Sequence, residues 1–264
     1  MPVRNLVPAA LALLLSACAS TPEGSRVDYD PWEPFNRQMY AINDFGDRYL
    51  LKPVAKGYDA ILPDVVQTGV TNFSRNLTSP MSSVNNFLQG KPRDGFSELT
   101  RFLFNSTIGI GGLIDVAAMG GLERKYEDFG QTFAVWGVPD GPFVMVPFIG
   151  PRTLSHTASV PLNIWSDPLW HYEVTSVRNK LEILRLINLR ANLLDLDRFL
   201  EDSKDPYITL RESYLQNRQF EVYDGDPPMQ DDFYEEFEED FEDDYEDDYD
   251  GNGADAEDAP GGGE

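Results

Sequence analysis

Apolar residues recur at helical spacing along most of this chain. Asp30-Pro31-Trp32-Glu33 offers an acidic N-cap, a proline at the first helical position and a carboxylate beyond it. Phe35, Met39, Ile42, Phe45 and Tyr49 then share one face, which predicts a helix over residues 31–51. Pro53 and Pro63 punctuate the next stretch, and Val66, Val70, Phe73 and Leu77 repeat the pattern until Ser79-Pro80, where it is predicted to stop. A helix over residues 94–105 is predicted to bury Phe96, Leu99 and Leu103. Residues 173–200 contain neither Gly nor Pro and carry Val174, Val177, Leu181, Leu184, Ile187, Ala191 and Leu194 on one broad face, the longest predicted helix. Asp205-Pro206 opens a last one through Ile208, Arg211, Leu215 and Arg218. The predicted class is mostly α, in a single domain over residues 29–223.

Two middle segments break this pattern. Residues 108–119 are apolar and glycine-rich with one carboxylate, Asp115, and residues 142–149 are apolar at nearly every position. Each is too short to span a bilayer. One reading is buried core, as short apolar runs usually are. The other is an interfacial position, where Trp32, Trp136, Trp165 and Trp170 would suit the boundary between water and lipid.

The N-terminus bears on that choice. A single positive charge, Arg4, precedes an apolar stretch over residues 6–15 and then Leu15-Ser16-Ala17-Cys18, which reads as a lipoprotein export signal over residues 1–17 with Cys18 as the acylated anchor. Several acyl chains at ~0.8 kcal/mol per buried methylene make such an attachment effectively permanent. Residues 19–28 form a small polar linker that reaches ~35 Å at most. Ala19 after the cysteine favours onward transport to the outer membrane in lipoproteins of this type. Cys18 is the only cysteine, so the body has no disulfide and is held by its core alone.

Charge divides the chain in two. Of its 45 acidic residues, 20 follow Tyr223, where there is no Lys or Arg, so the net charge of -24 belongs mostly to the tail and the body is nearly neutral. No basic patch for nucleic acid follows from these totals. In residues 224–264, Phe233, Phe237, Phe241, Tyr245 and Tyr249 recur every fourth position among carboxylates. Carboxylate repulsion opposes a helix there at neutral pH, and the tail is predicted to be disordered when free.

Along residues 29–220 the motifs fall into one series. Asp30-Pro31-Trp32-Glu33-Pro34-Phe35-Asn36-Arg37 with Tyr40 and Asn43, Asn72-Phe73 with Asn76-Leu77 and Pro80, Leu88-Gln89-Gly90, and Arg101-Phe102 with Asn105-Ser106-Thr107 and Gly109 come first. Gly112-Leu113-Ile114-Asp115-Val116-Ala117, Glu127-Asp128-Phe129-Gly130-Gln131-Thr132, Trp136-Gly137-Val138, Gly141-Pro142, Pro147-Phe148-Ile149-Gly150-Pro151 and Asp205-Pro206-Tyr207 follow in order. Together they resemble the MlaA (VacJ) lipoproteins. The resemblance implies a helical, ring-like protein in the inner leaflet of the Gram-negative outer membrane, with an amphipathic channel for phospholipid. It implies removal of phospholipid mislocalised to the outer leaflet, delivery to a periplasmic carrier resembling MlaC, and association with trimeric general porins. Physically, such a channel needs polar lining for the head group, because an unpaired phosphate in hydrocarbon is costly. Asp115, Phe133, Trp136, Val144, Val146 and Phe148 are the candidates for the lipid path. Asp115 reads equally well as a helix cap or the partner of a nearby arginine.

Catalytic readings find little material. Ser155 and His156 are adjacent and only two histidines occur, so a Ser-His-Asp or zinc-hydrolase constellation is not expected, and neither is a metal or cofactor. Gly109-Ile110-Gly111-Gly112 fails the dinucleotide-loop spacing, and no GxxxxGK[ST] run exists through which the chain could itself use ATP. A non-enzymatic phospholipid-transfer lipoprotein leads, with a lipid hydrolase and a structural porin-associated scaffold as alternatives.

Overall fold

The computed structural model describes residues 29–227, so Cys18, the export signal, the linker and all but the first residues of the acidic tail lie outside the described residues. The chain forms α1 Glu33–Gly46, a π turn Asp47–Leu51, α2 Lys52–Ile61, α3 Asp64–Leu88, α4 Pro92–Thr107, α5 Val116–Met119 and α6 Phe129–Val135. A hairpin of β1 Phe143–Val146 and β2 Gly150–Thr153 follows, then α7 Leu154–Ser166, α8 Thr175–Ala191, α9 Asp197–Glu201 and α10 Pro206–Val222. The fold is mostly α with a small antiparallel sheet in the register Phe143↔Thr153 and Val146↔Gly150. A second unit begins at Tyr223, described only as far as a short turn in which the Asp226 N–H reaches the Tyr223 carbonyl at 3.0 Å.

The long antiparallel pair α3–α4 shows how the chain packs, and it reverses the expected faces. The buried stripe of α3 is Gln67, Asn76, Ser79, Ser82, Ser83, Asn85 and Asn86, while Val65, Val66, Val84, Phe87 and Leu88 are exposed. On α4, Gly95, Glu98, Arg101 and Asn105 are buried, and Phe96, Leu99 and Leu103, predicted to be core, face outward, Phe96 with 62% of its surface accessible. The polar interior is closed by hydrogen bonds. Ser83 donates to the Gly95 carbonyl at 2.7 Å, Asn86 to those of Ser82 and Lys125 at 2.9 Å each, and Thr132 to Asn85 at 2.8 Å. Burying these groups without partners would cost kilocalories each. Among the described residues, 8 hydrophobic side chains are buried against 23 polar or charged ones, the reverse of a water-soluble domain.

Several predicted boundaries shift for identifiable reasons. Pro80 does not stop α3, because Ser82, Ser83, Asn85 and Asn86 tie the second half of the helix to α4 and residues 125–132. At 25 residues, α3 is therefore the longest helix. The first helix does not end before Pro53. The Lys52 N–H reaches five residues back to Asp47, and the widened turn accommodates a ring that has no N–H to donate. The predicted helix 173–200 breaks after Ala191, where Arg190 grips Asp47 at 2.7 Å and Asp197 at 2.8 Å and folds the chain into a corner. The turn from α3 to α4 is a Schellman motif, with Gly90 at φ 77 and the Lys91 N–H bonded to the Asn86 carbonyl at 2.9 Å.

The small apolar core of Met39, Phe143, Met145 and Tyr207 lies where α1, β1 and α10 meet. Asp30, read from sequence as an N-cap, makes no such cap. It is fully buried between Arg211 at 2.8 Å, the Tyr207 hydroxyl at 2.6 Å and the Asn36 amide at 2.8 Å. Asn36 and Asn43, two turns apart on α1, then bind the free edge of β1 as a third strand would. Asn36 pairs with the Phe143 carbonyl at 3.1 Å and the Met145 N–H at 2.9 Å. Asn43 pairs with the Val146 carbonyl at 3.0 Å and the Phe148 N–H at 2.7 Å.

Candidate functional site

The inward faces line an open cavity of about 560 Å³ whose wall mixes polar side chains with Met81, Val160, Ile164 and Trp170. Helix α3 lends Ser82 and Asn85, the segment before α6 lends Tyr126, Glu127 and Asp128, β2 lends Arg152, and α7 lends His156 and Asn163. Helix α8 and the turn before it close the space with Asp167, Arg178, Glu182 and Arg185. Local signals place these groups. Asp128 caps α6 by accepting from the Gln131 N–H at 2.9 Å, and Thr153 caps α7 at the His156 N–H at 3.3 Å. These two caps fix the ends of neighbouring helices beside the cavity.

His156 sits in a fixed network. Its Nε2 lies 2.6 Å from the Arg152 guanidinium, its Nδ1 2.9 Å from the Tyr214 hydroxyl, and its ring stacks on Tyr214 at 6.4 Å. Both nitrogens are thereby engaged away from Ser155, so the adjacent pair makes no nucleophile and base. Asp128 lies 3.5 Å from His156. Burial pushes its carboxyl up, but His156, Arg218 and the Gln131 N–H outweigh burial and hold it below the usual range.

The charges along the wall are unequally matched. Glu127 pairs with Lys91 at 3.0 Å, and Asp167 and Glu182 share Arg185 at 2.7 and 3.4 Å. Two cations lack such partners. Arg152 has no carboxylate within ion-pair distance among the described residues and is held by His156, with its Nε buried without an acceptor. Arg178 reaches only the Trp170 carbonyl at 3.4 Å and the Trp170 ring at 5.9 Å. Outside the lining, the Arg124 guanidinium lies 4.6 Å over the Tyr126 ring and donates to the Thr78 hydroxyl at 3.3 Å, with burial holding it below the usual arginine range. Tyr126 keeps 41% of its surface accessible, yet its surroundings push the phenol up to about 12 by desolvation first, as befits the wall of a hollow.

The residues singled out from sequence lie elsewhere. Asp115 caps α5 at the Ala118 N–H, 3.1 Å away, and binds Arg101 at 2.6 Å and Asn105 at 2.9 Å, away from this cavity. Phe133 and Trp136 pair with ring centroids 6.3 Å apart, and the Trp136 indole donates to the Leu88 carbonyl at 3.0 Å. Val144 and Val146 alternate with buried Phe143 and Met145 on β1, and Phe148 is 87% accessible at the hairpin tip. None of the six lines the cavity. The two apolar segments divide likewise. Ile108, Ile110 and Met119 are exposed, whereas Phe143 and Met145 are core. Sequence reasoning missed Tyr126, Arg152 and Arg178. The available signal was the polar stripe at positions 76, 79, 83 and 86, whose helical spacing marks a face as surely as an apolar one does.

Comparison with known proteins accords with this architecture. The family model for the MlaA lipoprotein matches residues 28–221. A protein of Shigella flexneri named intermembrane phospholipid transport system lipoprotein MlaA is 39% identical over 224 residues, 80% of this chain and 86% of its own length. The protein of the same name from Haemophilus influenzae is 32% identical over 85% of this chain and 93% of its own. A solved structure described as "Structural basis for maintenance of bacterial outer membrane lipid asymmetry" superposes with a TM-score of 0.65 at 38% identity, covering 73% of this chain and 98% of that one. With the family model covering nearly the whole described body, the chain belongs to the MlaA lipoprotein family.

Proposed function

We propose that this chain is an outer-membrane lipoprotein that takes phospholipid mislocalised to the outer leaflet and passes it toward the periplasm, maintaining lipid asymmetry. The observation that carries this reading is the reversal of the fold, with 23 polar or charged side chains buried and large hydrophobics such as Phe96, Leu103 and Ile108 outside. A surface of that kind is stable against acyl chains and unstable against water. Among the described residues, no helix is long and apolar enough to cross a membrane, which fits a body seated in one leaflet around a head-group passage. The cavity with Arg152 and Arg178 supplies the polar surroundings that a phosphate needs within hydrocarbon.

In this reading residues 1–17 are an export signal and Cys18 carries the acyl anchor. The lipid leaves chemically intact, to a soluble carrier resembling MlaC, beside trimeric porins. The names of the relatives, which specify phospholipid transport, support this. The test is transfer of labelled phospholipid from vesicles bearing the full-length chain to the soluble carrier. Intact labelled lipid on the carrier, appearing only with the protein present, is the expected result. Released fatty acid would identify a hydrolase, and no transfer at all would leave a scaffold; either overturns the proposal.

A further inference from the structure

The pairing of charges around the cavity carries a head-group preference. Each carboxylate of the wall already has a partner. Glu127 has Lys91 and Asp167 has Arg185, while Glu182 shares Arg185. Asp128 has the Gln131 N–H, His156 at 3.5 Å and Arg218 at 3.9 Å. Among the described residues Arg152 and Arg178 have no carboxylate within ion-pair distance, Arg152 being held by His156 at 2.6 Å and Arg178 by the Trp170 carbonyl at 3.4 Å. A phospholipid phosphate meets two unmatched guanidinium groups here, and guanidinium donors suit phosphate oxygens. Among the described residues a primary ammonium on the same head group meets no unmatched carboxylate and is repelled by the cations that hold the phosphate. A hydroxylated head group is not penalised, because Asn179 on the same wall offers a neutral donor and acceptor.

We infer that the cavity selects phospholipids of net negative head group, of the phosphatidylglycerol type, over zwitterionic ones of the phosphatidylethanolamine type. The inference rests on reading this cavity as the phospholipid site.

The test uses the full chain in neutral detergent, equilibrated with mixed micelles holding equal amounts of the two lipids with identical acyl chains, then repurified for mass spectrometry of bound lipid. Phosphatidylglycerol should exceed phosphatidylethanolamine about fivefold, the ratio that one partly exposed charge contact sustains. R178Q, at a side chain with only one long hydrogen bond, should lower that ratio, and R152Q/R178Q should bring it near unity. R152K/R178K, which keeps both charges, should restore it. A ratio near unity in the natural chain, or an enrichment that survives R152Q/R178Q in protein of unchanged circular dichroism, overturns the preference. Recovery of neither lipid overturns the underlying site as well, whereas lipid bound without preference overturns only the preference. A parallel arm with inorganic phosphate separates the two sources of anion. If phosphate alone raises thermal stability and phosphatidylglycerol adds nothing, the site takes a free anion and the lipid inference is wrong.

Discussion

Single residues in this chain hold structure through polar contacts that a soluble protein would leave at its surface. Asp30 is the clearest case, with no accessible surface and three partners from α1 and α10. Its hydrogen bond and charge push the Tyr207 hydroxyl above its ordinary range, after burial, which contributes most. Asp30→Ala should destabilise the body by about 2–3 kcal/mol in chemical unfolding, since the buried Tyr207 hydroxyl and Asn36 amide lose their acceptor and Arg211 keeps only Glu212 at 2.8 Å and Glu33 at 3.8 Å. Asp30→Asn, which keeps an acceptor for Tyr207, should recover part of that loss, and an Asp30→Ala variant of near-natural stability would refute the role. Asp115 makes a prediction in pH. Burial raises its carboxyl, but the contacts from Asn105, the Ala118 N–H and Arg101 prevail and hold it below its ordinary value of 3.8. Its contribution to stability is therefore present above that ordinary value and disappears as pH falls through the lower folded one. In Asp115→Asn this portion of the acid destabilisation should vanish from pH-dependent melting curves.

Elements were partly legible in the sequence, and the failures share a cause. The start of α10 was readable because Asp205 does cap it, accepting from the N–H groups of Tyr207 at 3.0 Å and Ile208 at 3.3 Å. The helical period of α4 was readable too, but a period reveals two faces and not which of them meets solvent. Where lipid is the solvent the assignment inverts, and Phe96, Leu99 and Leu103 change sides. For the same reason the cavity was not read from sequence, since its walls are the polar face discounted as exterior. Pro80 was misread because propensity is local, while the contacts that carry α3 past it come from residues as distant as Lys125 and Thr132. Phe96→Ser and Leu103→Ser should each change stability in detergent by no more than about 0.5 kcal/mol, as outward positions do. A loss of about 3 kcal/mol or more would place them in a core after all. The hairpin gives a second check at this scale. Asn43→Ala removes both bonds to the tip of β1, so amide exchange at Phe148 should accelerate while that of α3 stays unchanged.

At the scale of the whole molecule, the apolar exterior and the inward-facing polar side chains are two sides of one arrangement. A body whose helices turn their polar faces inward can rest among acyl chains and still offer a head group a cavity with charged and polar side chains in its wall. Whether phospholipid occupies that cavity is settled by photo-crosslinking in the membranes of the cells that make the protein. A photoreactive phenylalanine derivative placed at Tyr126, on the cavity wall, should capture an intact phospholipid, identified by the mass of the adduct. The same group at Phe96, on the outer face of α4, reports contact with the surrounding bilayer and sets the background. A phospholipid adduct at Tyr126 that diminishes in R152Q/R178Q while the adduct at Phe96 persists is the expected result. Phospholipid captured at Phe96 with none at Tyr126 would contradict it.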